Sequence, residues 1–229
     1  APAEPGNGGG RRRVRPFRRR PQAGLRSIAM EAFTTLDAVA IPIDQPNLDT
    51  DQIIPARFLG KPRDMQVSAL FHDLRYTPDK TPRPDFVTNM PAFSGAKIVV
   101  AERNFACGSS RENAVTVMVD NGLRAFIAPS FGDIFFNNCF QNGALPIRVE
   151  AARAAELRKL LHASPGAKIS IDLASQTVTG PDGKTDRFEI DSFRKDCLLQ
   201  GADEVTLTLG YDKDIKAFEA RQRQEMSWL

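Results

Sequence analysis

Three short apolar runs alternate with three helix-forming segments in the middle of the 229-residue chain. Buried strands are predicted for residues 97–101, 124–128 and 145–149, and helices for residues 111–121, 130–140 and 150–162. Strand–helix units of this length are typical of a parallel or mixed sheet that packs against helices. Gly122 and Gly143 lie where the C-terminal caps of the first two helices are expected. The alternation therefore predicts an α/β fold.

The segments around this alternation give further predictions. A first strand is expected over residues 36–43, a short helix over 65–75, a hairpin over 168–179 and closing helices over 192–200 and 212–222. Four prolines between residues 76 and 95 predict a surface loop. We expect one folded domain over residues 30–229, because no internal repeat and no strong linker divides it.

The basic residues are concentrated at the N-terminal end. Residues 1–29 contain eight arginines and one acid, Glu4, whereas the remaining 23 basic and 27 acidic residues carry a net charge of −4. The mildly acidic body gives no electrostatic reason to expect nucleic-acid binding. No apolar run approaches the roughly 18–20 residues that a membrane span needs.

The composition of residues 1–29, rich in arginine, proline and glycine, predicts disorder. Three interpretations are open: translated sequence upstream of a native start at Met30, a targeting peptide, or an arm that binds RNA or another anion. The first is favoured because Met30 is the first methionine of the chain.

Cysteine and histidine are sparse. Cys107, Cys139 and Cys197 are far apart and form no CxxC motif, which predicts free thiols in a reducing compartment. His72 and His162 are expected to be structural, so the chain gives little support for a metal site or a histidine-dependent triad. We therefore expect a cytoplasmic chain without a metal site of its own.

The strongest candidate site lies at one predicted strand-to-helix turn, Gly108-Ser109-Ser110-Arg111-Glu112. Such a turn binds anions through backbone N–H groups at the start of the helix. Ser109 with Glu112 also fits a capping box, which is a common structural feature. Arg111, however, opposes the helix dipole, which favours acids in the first turn. An anionic ligand, such as a carboxylate, compensates for that placement.

Other polar residues have structural explanations. The run Asn47–Asp51 (NLDTD) suggests a cation loop, but an Asx turn is favoured because no EF-hand spacing follows. Ser130 is expected to cap a helix, and Cys107 is expected to be a small buried residue. Core packing is expected for Phe131, Phe135 and Phe136.

Three motifs follow one another along the chain: Asn47–Phe58 (NLDTDQIIPARF), Asn104–Ala114 (NFACGSSRENA) and Ile127–Ile147. Together they resemble the small subunit of the isopropylmalate isomerase family, as do the C-terminal residues 191–200 and 207–220. The serine–arginine motif alone would also fit the swivelling domain of aconitase. The resemblance implies an α/β fold, a three-layer β/β/α swivelling domain with a mixed, largely parallel sheet.

The resemblance also implies an active site shared between two chains. In this family a large subunit holds a 4Fe–4S cluster, and the pair interconverts 2-isopropylmalate and 3-isopropylmalate through isopropylmaleate in leucine biosynthesis. The lack of grouped cysteines agrees with a cluster held by the partner rather than by this chain.

Particular residues acquire roles from the same resemblance. Ser109 matches the general base, acting as an alkoxide that helix N–H groups and Arg111 would stabilise. Asp51 matches an acidic position near the site, where it would hold a basic group. The implied substrate-binding residues are Ser110, Arg111, Gly108 and Thr50.

One position departs from the family pattern. Asn113 stands where the family usually has histidine, which leaves open whether the substrate is isopropylmalate or another 2-substituted malate, such as citramalate or dimethylmalate. The loop from about residue 61 to 85 is expected to shape the pocket for the alkyl group. A third, non-catalytic alternative is an RNA-binding aconitase relative that uses residues 11–26, and the acidic body argues against it.

Overall fold

Seven strands form one sheet in a computed structural model that describes residues 30–202 and 204–226. In chain order they are β1 (Thr35–Ile43), β2 (Ile98–Ala101), β3 (Ala125–Ala128), β4 (Leu145–Arg148), β5 (Lys168–Asp172), β6 (Thr177–Thr179) and β7 (Thr185–Arg187). Their order across the sheet is β4-β3-β2-β1-β5-β6-β7. Neighbours from β4 to β1 pair in parallel, and neighbours from β1 to β7 pair antiparallel.

Helices connect the strands and close the fold. The α-helices are α1 (Thr50–Ile53), α2 (Arg63–Gln66), α3 (His72–Arg75), α4 (Glu112–Asp120), α5 (Asp133–Gln141), α6 (Ala151–Ala163), α7 (Ser192–Gln200), α8 (Glu204–Gly210) and α9 (Asp212–Glu225). Short 3-10 helices cover Ala56–Phe58, Val67–Ala69, Val87–Asn89 and Pro91–Phe93. None of the helices in the described ranges is long and apolar enough to cross a bilayer.

The parallel strands separate two apolar cores, because successive side chains of a strand point to opposite faces. The first core combines side chains of the sheet with α4 and α5, and includes Ile41, Val99, Phe126, Val115, Met118 and Phe135. The second combines the other face with α6 and α7, and includes Ala40, Val100, Ile127, Leu157, Leu161 and Leu198. The antiparallel strands contribute Ile169, Ile171 and Val178 to the second core. The predicted α/β fold with a mixed sheet is confirmed.

Most predicted elements appear within three residues of their expected ends. Gly122 and Gly143 have positive φ angles of 88° and 71° just after α4 and α5, as expected of C-terminal glycines. The short helix expected over 65–75 is instead divided into α2, a 3-10 turn and α3. The strand β7 and the helix α8 were not predicted. The expectation of disorder for residues 1–29 lies outside the described residues.

The buried guanidinium of Arg153 connects helix α6 to the β6–β7 hairpin. Arg153 donates hydrogen bonds to Asp186 (2.6 Å), Asp182 (2.8 Å) and Glu156 (2.8 Å). Its hydrogen bond to Asp182 is the largest of the influences that lower the pKa of that carboxyl to about 2. The cluster therefore stabilises the fold while the carboxylates are ionised.

Asp182→Asn is expected to lower the free energy of unfolding at pH 7 by about 1 kcal/mol, because a charged hydrogen bond becomes a neutral one. The pKa of Asp182 in the folded state is below the unfolded value, so its stabilisation is present above about pH 4 and is lost as the pH falls towards 2. The variant should therefore lose less stability than the wild type over that interval. Urea unfolding at pH 7 and between pH 4 and 2 measures both effects, with the exposed Glu189→Gln as control.

Candidate active site

The segment that follows β2 pairs with the first motif like a short parallel strand. The N–H of Cys107 donates to the carbonyl of Leu48 (3.2 Å), and the N–H of Thr50 donates to the carbonyl of Cys107 (2.9 Å). Thr50 is buried, and its hydroxyl donates to the carbonyl of Ser109 (3.1 Å). Thr50 therefore holds the backbone of Ser109 beside α1, and its own hydroxyl is used in doing so.

The third motif binds the same segment from its other side. The N–H of Phe105 donates to the carbonyl of Ser130 (3.0 Å), and the N–H of Gly132 donates to the carbonyl of Phe105 (2.9 Å). The hydroxyl of Ser130 accepts a hydrogen bond from the N–H of Asn104 (2.8 Å). The prediction that Ser130 caps α5 is wrong. Its hydroxyl binds the N–H of Asn104 instead, and the helix begins after Gly132.

The alternative explanation of the turn before α4, a capping box at Ser109 and Glu112, is also wrong. Gly108 turns the chain with a φ of 90°, and the bond from Thr50 holds Ser109 in the loop, so Arg111 occupies the N-cap position of α4. Among the described residues no side chain caps this end of the helix, and Glu112 instead accepts from Asn142 (3.2 Å). The first turn of α4 therefore presents uncapped backbone N–H groups, the feature that binds anions.

Arg111 and Asp51 form an ion pair beside this helix end. The Arg111 side chain is 16% exposed, and the hydrogen bond from Arg111 is the first cause that lowers the pKa of Asp51. Asp51 is therefore ionised at neutral pH. In the described part of the chain, Nη1 is the only guanidinium nitrogen of Arg111 that makes a hydrogen bond, and it makes it to Asp51. Within those residues the Nε and Nη2 groups face no protein acceptor.

Two clefts lie near this region, and Asp51 lines one of them. A cleft of about 420 Å³ is lined by residues of the first motif, including Asp49, Asp51, Pro55 and Arg57. A second cleft of about 700 Å³ is lined by Phe58, Lys61, His72, Tyr76, Lys80 and Arg83. The two clefts share Arg57 and Asp73, which form an ion pair that lowers the pKa of Asp73 to about 2. Part of the 61–85 segment thus lies next to the predicted site.

Family models match almost all of the described chain. The Aconitase C-terminal domain matches residues 30–152. Two further models follow it: LeuD_N matches residues 155–192, and the C-terminal domain of the 3-isopropylmalate dehydratase small subunit matches residues 204–229.

Curated relatives match over their full length. The 3-isopropylmalate dehydratase small subunit of Leptospira interrogans is 48% identical over 203 residues, 87% of this chain and 98% of that protein. That of Rhodopseudomonas palustris is 48% identical over 200 residues, 87% of this chain and 100% of that protein. The chain belongs to the 3-isopropylmalate dehydratase small-subunit family. The predicted resemblance is thereby confirmed.

A solved structure supports the fold of this dehydratase family member. The 3-isopropylmalate dehydratase of Methanocaldococcus jannaschii aligns with a TM-score of 0.56 and 25% sequence identity, over 82% of this chain and 99% of that protein. The two proteins therefore share the same three-dimensional arrangement of the sheet and its helices.

The site of this small subunit is open rather than enclosed. Ser109 and Ser110 are both exposed, and Gly108 is exposed beside them. The structure thus brings the six predicted site residues together. From α1, the buried Thr50 bonds to Ser109 while Asp51 pairs with Arg111. The sequence analysis did not single out the Arg57–Asp73 ion pair, although Arg57 lies in the first motif and Asp73 in the 61–85 loop.

The remaining predictions for this region concern structural residues. Asp49 organises the first motif. It caps α1 by accepting from the N–H of Gln52 (2.8 Å) and forms a capping box with that residue. Phe131 and Phe135 are buried as expected, whereas Phe136 is half-buried. Cys107, expected to be buried, is half-buried; this partial burial still raises the pKa of its thiol, so it is a poor nucleophile. Among the described residues, no group of three or more His, Cys, Asp and Glu side chains is placed to hold a metal ion.

Proposed function

We propose that this chain is the small subunit of a 3-isopropylmalate dehydratase and supplies the general base and one carboxylate-binding wall of its active site. The reaction interconverts 2-isopropylmalate and 3-isopropylmalate through isopropylmaleate in leucine biosynthesis. The observation that carries the proposal is the uncapped start of α4, with Ser109, Ser110 and Arg111 together on an open surface.

Arg111 is the proposed ligand of a substrate carboxylate. Its Nε and Nη2 groups have a geometry that suits two parallel hydrogen bonds to a carboxylate, while Nη1 is held by Asp51. Because Asp51 anchors the guanidinium, little side-chain entropy is lost when the substrate binds. The hydroxyl of Ser110 and the backbone N–H groups of α4 add donors to the same negative charge.

Ser109 is the proposed base. As an alkoxide, its Oγ takes the proton from the carbon next to a substrate carboxylate, the C–H electron pair forms the carbon–carbon double bond, and the hydroxyl on the neighbouring carbon leaves with its bonding pair. Addition of water in the opposite sense completes the isomerisation. Serine can act in this way only where positive charge stabilises the alkoxide, which the helix N-terminus and Arg111 would provide.

A large subunit that carries a 4Fe–4S cluster is the proposed partner. When bound, the cluster would supply a Lewis acid for the departing hydroxyl. The exposure of Ser109 and Ser110 supports a second chain that covers them, because a serine alkoxide and its charged substrate need to be shielded from bulk water. We propose a cytoplasmic enzyme, since Cys107 and Cys139 are free thiols.

Reconstitution tests the proposal. The chain and the large-subunit homologue from the same genome are combined anaerobically, and hydration of isopropylmaleate is followed. We expect turnover only when both chains are present, with at least about a hundredfold less from either chain alone, because the base and the Lewis acid act as a unit.

Two results would contradict the proposal. Turnover by this chain alone would show that it does not need a partner. Assembly without turnover of isopropylmaleate, together with turnover of citraconate or dimethylmaleate, would assign the chain to a hydro-lyase that acts on another 2-substituted malate.

A further inference from the structure

The buried side-chain amide of Gln66 connects α4 to the turn at residues 59–61, which borders the second cleft. Gln66 is only 6% exposed. Its Nε2 donates to the carbonyls of Lys61 (2.7 Å) and Leu59 (3.3 Å), and its Oε1 accepts from Nδ2 of Asn113 (2.9 Å). The amide of Gln66 thus spans the distance between residues 59–61 and the first turn of α4.

The orientation of the Gln66 amide is fixed by its surroundings. Backbone carbonyls can only accept hydrogen bonds, so the NH₂ group of Gln66 has to face Leu59 and Lys61. Its oxygen consequently has to face α4. The residue at position 113 must then supply a donor, because a buried oxygen without one costs free energy.

Each end of this link lies close to a residue of the proposed site or of the second cleft. Asn113 lies two residues after Arg111, and the turn at 59–61 includes Lys61, which lines the second cleft together with the adjacent Phe58. That cleft meets the one lined by Asp51 at the Arg57–Asp73 pair. The link therefore sets the distance between the carboxylate-binding guanidinium and the cleft wall.

We propose that Asn113 and Gln66 are positioning residues. They fix the position of Phe58 and Lys61, which line one wall of the second cleft, relative to the guanidinium of Arg111. The proposal rests on the function proposed above and adds the requirement that residue 113 donates a hydrogen bond. It also accounts for Asn113 in place of the histidine usual in the family: an imidazole N–H is a donor, and the asparagine amide preserves that donor.

The experiment compares variants of the reconstituted two-chain enzyme. Asn113→Asp keeps the shape of the side chain and replaces the donor by acceptor oxygens; an acid in the first turn is favourable for the helix, which offsets part of the cost of the unpaired Gln66 oxygen. Asn113→Ala removes the donor without adding charge, and Asn113→His restores one. Asn121→Ala is the matched control, because its Nδ2 binds the same segment at the carbonyl of Val67 (2.9 Å), away from the turn.

We expect Asn113→Asp and Asn113→Ala to raise KM for 3-isopropylmalate roughly tenfold with kcat changed less than about twofold, since the lost contact orders a non-reacting part of the site. Asn113→His should stay within about twofold of wild-type KM, as should Asn121→Ala.

If the wild-type pair of chains turns over isopropylmalate, either of two outcomes overturns the inference. One is a wild-type KM in Asn113→Asp and Asn113→Ala; the other is a KM in Asn113→His as high as in Asn113→Asp, which would exclude the donor requirement. A wild-type pair that does not turn over isopropylmalate overturns the proposed function itself, and the inference with it.

Discussion

Ser109→Ala is expected to lower turnover by the reconstituted enzyme at least about a thousandfold, the upper part of the range for removal of a general base. Stability should change by less than about 0.5 kcal/mol, because Ser109 is exposed and, within the described residues, its hydroxyl makes no hydrogen bond. Only the carbonyl of Ser109 is used by the fold, through the bond from Thr50 (3.1 Å), and alanine keeps that carbonyl. Steady-state hydration of isopropylmaleate and co-purification of the two chains measure both effects.

Ser110→Ala is the matched comparison. Both serines are exposed neighbours before α4, so the two variants differ in chemistry and not in folding. We expect Ser110→Ala to act mainly on KM, by roughly tenfold or less, because it removes one of several donors to the carboxylate. If Ser110→Ala abolishes turnover and Ser109→Ala retains it, the base is Ser110 and the present assignment is wrong.

The central part of the fold could be predicted from the sequence because hydrophobic periodicity and glycine caps are local signals. The alternation between residues 97 and 162 gave β2 to β4 and α4 to α6 within three residues. The strand β7 (Thr185–Arg187) carries no such signal: its three residues are polar and are placed by pairing with β6 and by the bonds of Arg153. Elements that tertiary contacts stabilise cannot be found from local pattern alone.

The site residues could be selected from the motifs, but their geometry could not. β1 and β2 are parallel neighbours with Ile43 opposite Ala101, so the turns that follow the two strands leave the sheet at the same edge. This adjacency brings Asp51 to Arg111 across 60 positions of sequence. Strand order depends on packing of the whole sheet. For the same reason, the local capping signal at Ser109 was misleading: the bond from Thr50, which no local pattern reveals, excludes Ser109 from the cap.

At Gly132 the third motif lies very close to the backbone of the second motif. A Cβ at this position would stand 2.5 Å from the carbonyl oxygen of Ala106 and 3.1 Å from the Cα of Cys107. Both neighbours are backbone atoms, so no side chain can rotate away to make room. The φ of Gly132 is −61°, a value that any residue adopts, so the requirement for glycine here is one of space.

Gly132→Ala is therefore expected to lower the free energy of unfolding by about 2–3 kcal/mol, the cost of overpacking a site that cannot relax. The added methyl group should also separate Gly132 from Phe105, whose carbonyl accepts its N–H at 2.9 Å, and thereby shift the segment that leads to Ser109. Because a displacement of about 1 Å at a reacting group can cost roughly a hundredfold in rate, we expect at least a tenfold loss of turnover.

The matched control for this variant is Gly210→Ala, where nothing lies within 4 Å of the added carbon. Gly210 ends α8, so alanine there should leave stability unchanged or raise it by up to about 1 kcal/mol. Urea unfolding of both variants and isopropylmaleate hydration by the reconstituted enzymes separate the two cases. Wild-type stability and turnover in Gly132→Ala would mean that the close contact between the second and third motifs does not hold the segment that carries Ser109.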